Sequence, residues 1–517
     1  MINFRFKKTQ LNNLPTAKFN RASTKKGSAL AMTLVMVVIV AIILTSLLGY
    51  ISSQIKYSKD RVERERAFQV AEAGAYYYRW YLAHKVSGKT AAQIEDFWAN
   101  GDADGLPIGI DPINNPYIGT FNDSENMPVG EYELNVVPPE DGSTIVTVTS
   151  TGWTNNKPNI KRTVQVRFRR PSWSEYTFLS NSFLHFGDQS TVYGKIHSND
   201  GIRFDGLAYN VVSSAKARFD DTSIGGTALD FGVHTTAGED DPLAPAYPWP
   251  SGTVPVRSDI FIGGREFPVP EVSFSGVATD LDNMKVQAQA GNGQYFGAIA
   301  LSDGKPGGGR RITLKSDGTY DVCAINKTNK TTHSISKYWK NDMSGTCDTC
   351  SGTCVTNYPI INNGVIFVED NIWVEGSINN KRVTIAAANL SGGGNQADIY
   401  IGIGDDNLRL AAYDCVNMLG LVAQRDIRIL NSCPEDFIVD AALLAQTGLV
   451  GIVGGTSGTK NSLTFNGAIS SYLQTFFFNG TSGFDDRTYN FNNKLLDCPP
   501  PYFPTGTEYA IDLWDEL

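Results

Sequence analysis

Histidine is scarce, with five in 517 residues, and neither a Gly-x-Ser-x-Gly elbow nor a His-Glu-x-x-His helix occurs. The commonest serine-hydrolase and zinc-protease signatures are therefore missing, and no enzymatic activity is expected. Basic residues are in deficit, 44 Lys and Arg against 53 Asp and Glu, for a net charge of -9. A diffuse nucleic-acid footprint needs clustered Lys and Arg, so no nucleic-acid partner is expected. Gly304-Lys-Pro-Gly-Gly-Gly-Arg-Arg311 is glycine-rich and basic, but it lacks the Gly-Lys-Ser/Thr ending of a phosphate loop and reads as a flexible turn. What is abundant is Gly (50), Phe (26) and Tyr (22), a composition that leans toward strands and turns.

The charge is unevenly placed. Residues 1–27 hold Arg5, Lys7, Lys8, Lys18, Arg21, Lys25 and Lys26 and no acid, so the rest of the chain is more acidic than its total suggests. From Gly27 through Ile55 no side chain is charged. That run is long enough to cross about 30 Å of hydrocarbon as a helix, and a helix satisfies its own backbone there. The basic flank predicts that residues 1–27 stay in the cytoplasm and everything after Tyr50 faces outward. A cleaved secretory signal would have a shorter apolar region ending in small residues. Here the following stretch stays helical: Lys56 to Val86 has no Pro and one Gly, Gly74. Phe68, Ala71, Ala75, Tyr78 and Leu82 form an apolar stripe at helical spacing. Gly88 is the expected stop.

These features resemble a type IV pilin, and in particular the PilX-like minor pilins. The basic leader ends Lys25-Lys26-Gly27 directly before the apolar helix, and Ala67-Phe68-Gln69-Val70-Ala71-Glu72-Ala73-Gly74 matches the Ala-Phe-x-x-Ala-Glu-Ala segment of that branch. Phe178–Gly206 and Pro499–Thr505 also resemble segments of large pilin-like surface proteins without assigned activity. The resemblance implies cleavage by prepilin peptidase between Gly27 and Ser28, a single-pass anchor in the cytoplasmic membrane with its N-terminus inside, and later incorporation into an extracellular filament beside other pilin subunits. It makes Met32 and Glu72 assembly positions. Most pilins carry Glu at the fifth mature position, where it pairs with a neighbour's terminal amine; here that position is Met32. The departure favours a low-copy or tip position over a repeating shaft subunit.

The expected fold is α+β: a long N-terminal pilin helix, transmembrane then amphipathic, a small antiparallel sheet domain, and a large mainly-β body of parallel β-helix type, with a β-sandwich as the alternative. The expected divisions are leader 1–27, helix 28–88, small β domain 89–170, β-rich region with loops 171–360, and β-helix-like region 361–517. Gly130–Val137, Thr144–Gly152 and Lys161–Phe168 alternate with period two, as in an antiparallel meander. Further on, Val192-Tyr-Gly-Lys-Ile-His-Ser198, Val374-Glu-Gly-Ser-Ile-Asn-Asn380 and Phe465-Asn-Gly-Ala-Ile-Ser-Ser471 share the pattern apolar-x-Gly-x-Ile-x-polar. Apolar runs surround them at Gly364–Val368, Val383–Ala388, Ile399–Ile403, Met418–Ala423 and Ala441–Ala445, which suggests stacked turns. The proline-rich stretch 238–258 reads as a surface loop.

Cys323, Cys347, Cys350, Cys354, Cys415, Cys433 and Cys498 all follow the membrane run, so disulfides are the default, with one thiol left over. Zinc on Cys323, Cys347, Cys350 and Cys354 is the weaker alternative because no second close pair exists. Asn100, Asp102, Asp104 and Asp111 fall at positions 1, 3, 5 and 12 of a calcium loop with Gly105 at the turn. An Asp at position 12 and the flanking Pro107 and Pro112 weigh toward an ordinary solvated turn, so no cofactor is firmly expected and calcium is the candidate. His197 reads as a turn residue at a corner. Tyr247 with Trp249, and Tyr338 with Trp339, could stack on sugars, though packing is the commoner use of such pairs. The functional expectation is a tip-located minor pilin whose body contacts surfaces, host cells or glycans. The alternatives are a pseudopilin of a type II-like secretion system and a membrane-tethered carbohydrate-active enzyme.

Overall fold

The computed structural model describes residues 28–86, 89, 91–110, 116–139, 143–224, 229–274, 277–299, 308–329, 332–338, 354–390, 396–404, 406–453, 458–505 and 509–517. The chain divides into two compact units, one ending at Arg66 and the other running from Ala67 to Leu517.

Helix α1 is described over Ser28–Val86, and the basic leader lies outside the described residues. It contains no Pro, and its apolar part is long enough to cross a membrane. Its two threonines turn back onto the helix: Thr33 Oγ1 donates to Leu30 O at 2.9 Å and Thr45 Oγ1 to Ala41 O at 2.9 Å. That keeps polar hydrogens bonded within the apolar surface. Leu34, Val37, Ile42, Leu47 and their neighbours are exposed throughout this first unit.

In the second unit the end of α1 lies on an antiparallel sheet. Helix α2 (Ala91–Asn100) follows, then β1 (Tyr117–Asn122), β2 (Pro128–Val137), β3 (Ile145–Thr154) and β4 (Lys157–Arg169). They pair in sequence order as a meander, as the alternation predicts. The chain's last strand, Ala510–Glu516, completes the sheet by pairing antiparallel with β4, with Arg169 opposite Ala510. This strand therefore belongs to the sheet and not to the C-terminal region 361–517. Ala71, Ala75, Tyr78 and Leu82 of the expected stripe are buried against Leu134, Val148, Val166 and Phe168, joined by Ala67 and Val70, while Phe68 packs at the margin.

From Phe178 onward short strands pair mostly in parallel; the exceptions besides the last strand are Thr319–Thr328, antiparallel to Gly309–Leu314, Ile335–Tyr338 and Cys354–Pro359, and the pair Arg218–Phe219 with Asp230–Phe231. One unbroken row of inward side chains runs Ile366, Ile385, Leu421, Leu443, Ile469, Phe178, Ile196, Val212, each the register partner of the next. A second ladder links Ile372–Ile378, Ile399–Ile401, Ile427–Ile429 and Val450–Ile452. A third links Leu408–Leu410, Asp436–Ala445, Gly458–Ser471, Ser482–Asn490, Ser190–Val192 and Leu207–Ala208. Residues 171–360 and 361–490 thus share one sheet with no break at 360. The chain enters this stack part-way along it, at Phe178–Ser180, which pairs with Gly458–Ser471 on one side and Ile196–Ser198 on the other.

The first ladder is buried on both faces. Inward Ile, Leu and Val residues form the main core, and outward Phe367, Ala386, Val422 and Leu444 are covered by helix α3 (Val277–Gln289) through Leu281 and Met284, and by Phe503. Two-sided burial explains why Gly364–Val368 and Met418–Ala423 read as continuous apolar runs rather than alternations. The repeated Gly motif marks corners: Val192 to Ile196 and Phe465 to Ile469 both pass from the third ladder to the first, whereas Val374 to Ile378 turns elsewhere. At Gly467, φ is 155° and an added Cβ would sit 1.9 Å from Ala441 O, so only glycine fits. Residues 238–258 form no strand, as expected of a surface loop.

Candidate assembly helix and surface sites

The segment Ala67–Gly74 owes its small residues to close packing. A Cβ on Gly74 would meet Ser150 Oγ at 2.3 Å, and one on Gly152 in β3 would meet Ala71 N at 2.3 Å. At Gly152 helix backbone and sheet backbone touch with no side chain between them, while Gly74 makes room for the Ser150 and Tyr132 side chains. Gly152 is the partner that the sequence reading missed. Its signal was the Gly inside an otherwise alternating strand, which marks close backbone approach. Glu72 is half-buried on the flank of this contact, and Met32 is exposed on the apolar part of α1. Gly27 lies outside the described residues.

The Asn100–Asp104 turn is organised by a lysine. Lys85 Nζ lies 2.8 Å from Asp102 Oδ2 and 2.6 Å from Asp104 Oδ2, and Asp104 N donates to Asp102 Oδ1 at 2.9 Å. Hydrogen bonding to Asp102, then to Asp104, raises the Lys85 pKa, and the ammonium in turn lowers that of Asp102. Asn100 donates to Asp96 at 2.6 Å. The expected calcium ligands that are described are thus occupied by an internal cation and a helix contact; Asp111 lies outside the described residues. Among the described residues no group of three His, Cys, Asp or Glu side chains gathers to hold a metal.

Among the described residues two disulfides form, Cys323–Cys354 and Cys415–Cys498, and Cys433 is a buried free thiol whose pKa burial pushes up to about 11. Cys323 and Cys354 are spent on each other, which removes two of the thiolates of the zinc alternative; Cys347 and Cys350 lie outside the described residues. Cys415–Cys498 ties the segment leading into Pro499–Thr505 to the stack.

His197 is not a turn residue. It lies inside strand Ile196–Ser198, buried, with its ring nitrogens 3.0 Å from Ser213 Oγ and 3.1 Å from Asn199 Oδ1. Burial lowers its pKa. Trp249 packs edge-on against Phe231 at 5.4 Å and Tyr247 at 4.9 Å, so its ring is used in the protein's own contacts. Tyr338 ends a strand, and Trp339 lies outside the described residues.

The sheet also carries a charge zipper. Arg162 pairs with Glu516, and Arg167 and Arg169 both pair with Asp512, joining β4 to the last strand. The sequence reading missed this pairing; the signal it carried was the basic residues of β4 and the acidic residues of the tail.

No known protein family's profile matches the chain. No curated protein matches it either. Among solved structures, the competence-associated pilin ComZ from Thermus thermophilus aligns over 88% of this chain and 97% of that one, at 13% identity and a TM-score of 0.29, a likeness too loose to carry an argument.

Proposed function

We propose that this protein is a PilX-like minor subunit of a type IV pilus-related filament, held in the cytoplasmic membrane by the apolar part of α1 before assembly. In this reading prepilin peptidase cuts after Gly27, the body is a parallel β-helix, and that body presents a non-catalytic surface for contact with other cells or glycans. The observation that carries the proposal is α1 itself: one helix, apolar and exposed in its earlier part, whose later part docks through Ala67–Gly74 onto an antiparallel sheet. N-terminal sequencing of membrane-extracted protein should begin at Ser28; a start at Met1 or beyond Tyr50 refutes the processing.

Met32 bears on where in a filament the subunit sits. A Glu at this depth costs roughly 2.5–3.5 kcal/mol in lipid unless paired. Met32 avoids that cost and offers no carboxylate to a neighbour's amine, while the amine of Ser28 stays free to meet the next subunit. Such a subunit suits the end of a polymer. Immunogold label should cluster at filament ends, and Met32→Glu should raise the copy number along the shaft. Label along the length of filaments bearing the unmutated protein overturns the tip position. A secretion pseudopilin would share the anchor and label no long surface filament. A tethered carbohydrate-active enzyme would depolymerise a glycan in purified form.

A further inference from the structure

The parallel stack stops at a rung with one open edge. Among the described residues, Val233–His234 pairs only with Ile202–Arg203, Phe261 only with Ala208, and Arg265–Glu266 only with Val212–Ser213. Ile202 N donates to Gly232 O at 2.9 Å, so along this strand Gly232 and His234 turn their backbone groups to the stack, and Val233 and Thr235 turn theirs away. Ala208 N donates to Ile260 O and Ile262 N donates to Ala208 O, both at 2.9 Å, which leaves the backbone of Phe261 on the same open side. A row of free N–H and C=O groups is a template for another strand. Here the row is already answered. Arg265 Nη1 donates to Val233 O at 2.8 Å. Asp241 N donates to Thr235 O at 3.0 Å, and Thr235 N donates to Asp241 Oδ2 at 3.3 Å. Phe261 N donates to Arg257 O at 2.8 Å, and Gly264 N donates to Phe261 O at 3.1 Å.

The groups that cover this edge come from the loop 238–258 and the segment that follows it, and one buried carboxylate locks them. Asp241 pairs with Arg265 and, at 3.5 Å, with Arg257; its side chain is 2% exposed and that of Arg265 is 3% exposed. Arg257 grips the start of the loop, donating to Ala237 O at 2.7 Å and to Glu239 O at 2.6 Å. Arg265 grips the far end, donating to Pro255 O at 2.6 Å. Arg257 holds φ at 47°, a left-handed conformation rare for a residue with a long side chain. It persists because both its carbonyl and its guanidinium are engaged. Pro242, Pro245, Pro248, Pro250 and Pro255 have no N–H to offer an incoming strand, so the loop covers one edge without making another. We infer that this loop is an end cap, and that the edge it hides is a strand-pairing surface for the same end of a second copy of this chain. Two freed ends meeting about a two-fold axis close a dimer. This goes beyond the filament reading and does not depend on it.

The test is light scattering of the full chain in detergent micelles over a range of protein concentration. The parent in the same detergent sets the mass that any association through the apolar helix gives. Asp241→Ala strips buried Arg265 of its counter-charge and unlocks the loop, and its protein mass should double as concentration rises. Ile262 is 49% exposed beside the freed edge. Adding Ile262→Lys to Asp241→Ala should return the mass to that of the parent, because a charge on an edge strand opposes pairing. If Asp241→Ala does not fold, Arg257→Gly serves instead, alone and with Ile262→Lys. Glycine takes φ 47° without strain, so this change removes the guanidinium and its grip on Ala237 and Glu239 while sparing the backbone. A folded variant that keeps the parent's mass at every concentration overturns the cap. So does a gain in mass that Ile262→Lys leaves untouched, since that association uses another surface.

Discussion

The two arms of the stack use the same parallel ladder with different chemistry. In the arm built from 364–445, the row beside the aliphatic one reads Val368, Ala387, Ala423, Ala445; continued into the other arm it reads Ser471, Ser180, Ser198, Ser214. The serines make the corners. Ser180, Ser198 and Ser214 each accept from the backbone N–H two residues on, at 3.1, 2.9 and 3.0 Å. Such local bonds stop a strand and turn the chain. In the alanine arm the corner falls to a longer side chain: Gln424 Oε1 accepts from Asn389 N at 2.8 Å and from Ala397 N at 3.2 Å. The outward row differs likewise, Phe367, Ala386, Val422 and Leu444 giving way past the junction to Leu179, His197 and Ser213. One arm is held chiefly by apolar burial, the other adds a buried polar network.

Removing the Cys415–Cys498 link strikes the apolar arm and should have the largest effect. With a sequence separation of 83 between the two cysteines, Cys498→Ser should lower unfolding free energy by about 4 kcal/mol in denaturant titration. Next, Leu421→Ala removes the middle of the aliphatic row and should cost about 3 kcal/mol. In the polar arm, Ser198→Ala strands both Ser182 O and Asp200 N, each bonded to Ser198 Oγ, and should cost about 1–2 kcal/mol by the same titration. Equal losses at Leu421 and Ser198 would erase the distinction between the arms.

The smallest effect is one of pH. His197 is held neutral by burial, so its folded pKa lies below the unfolded value of about 6.5. The unfolded state then binds the extra proton, and stability is lost as pH falls from 6.5 through the folded value. Between pH 7.5 and 5.5 the denaturation midpoint of the parent should fall more than that of His197→Gln.

The same contrast governs what could be read in advance. Two-sided burial makes Gly364–Val368, Met418–Ala423 and Ala441–Ala445 stand out as apolar runs, and all are strands or lie within one. In the polar arm only Val192–Ser198 stood out, since Ser-rich and Asn-rich strands of two or three residues look like loop. The helix stripe and the three central strands of the meander were legible from periodicity. The edge strand β1, helix α3 with its short Leu281–Met284 stripe, and the last strand were not. Nor was the order of the stack. Local pattern says which residues face inward but not which strand they lie beside, so nothing in Ile469 or Phe178 announces that they are neighbours. The small residues of Ala67–Gly74 were seen as a motif, but their partner Gly152 was hidden because close approach is a property of two segments together.

The pairing of β4 with Ala510–Glu516 gives the molecule a modular grammar. The sheet is interrupted between two of its own adjacent strands, and the whole body is spelled into that interruption, leaving at Arg169 and returning opposite it at Ala510. The body is therefore a cassette. Its size can change without altering the register of a single pair in the sheet on which the end of α1 lies. Evolution, or an engineer joining Arg169 to Ala510 with a short turn, can exchange what is displayed and keep the mount.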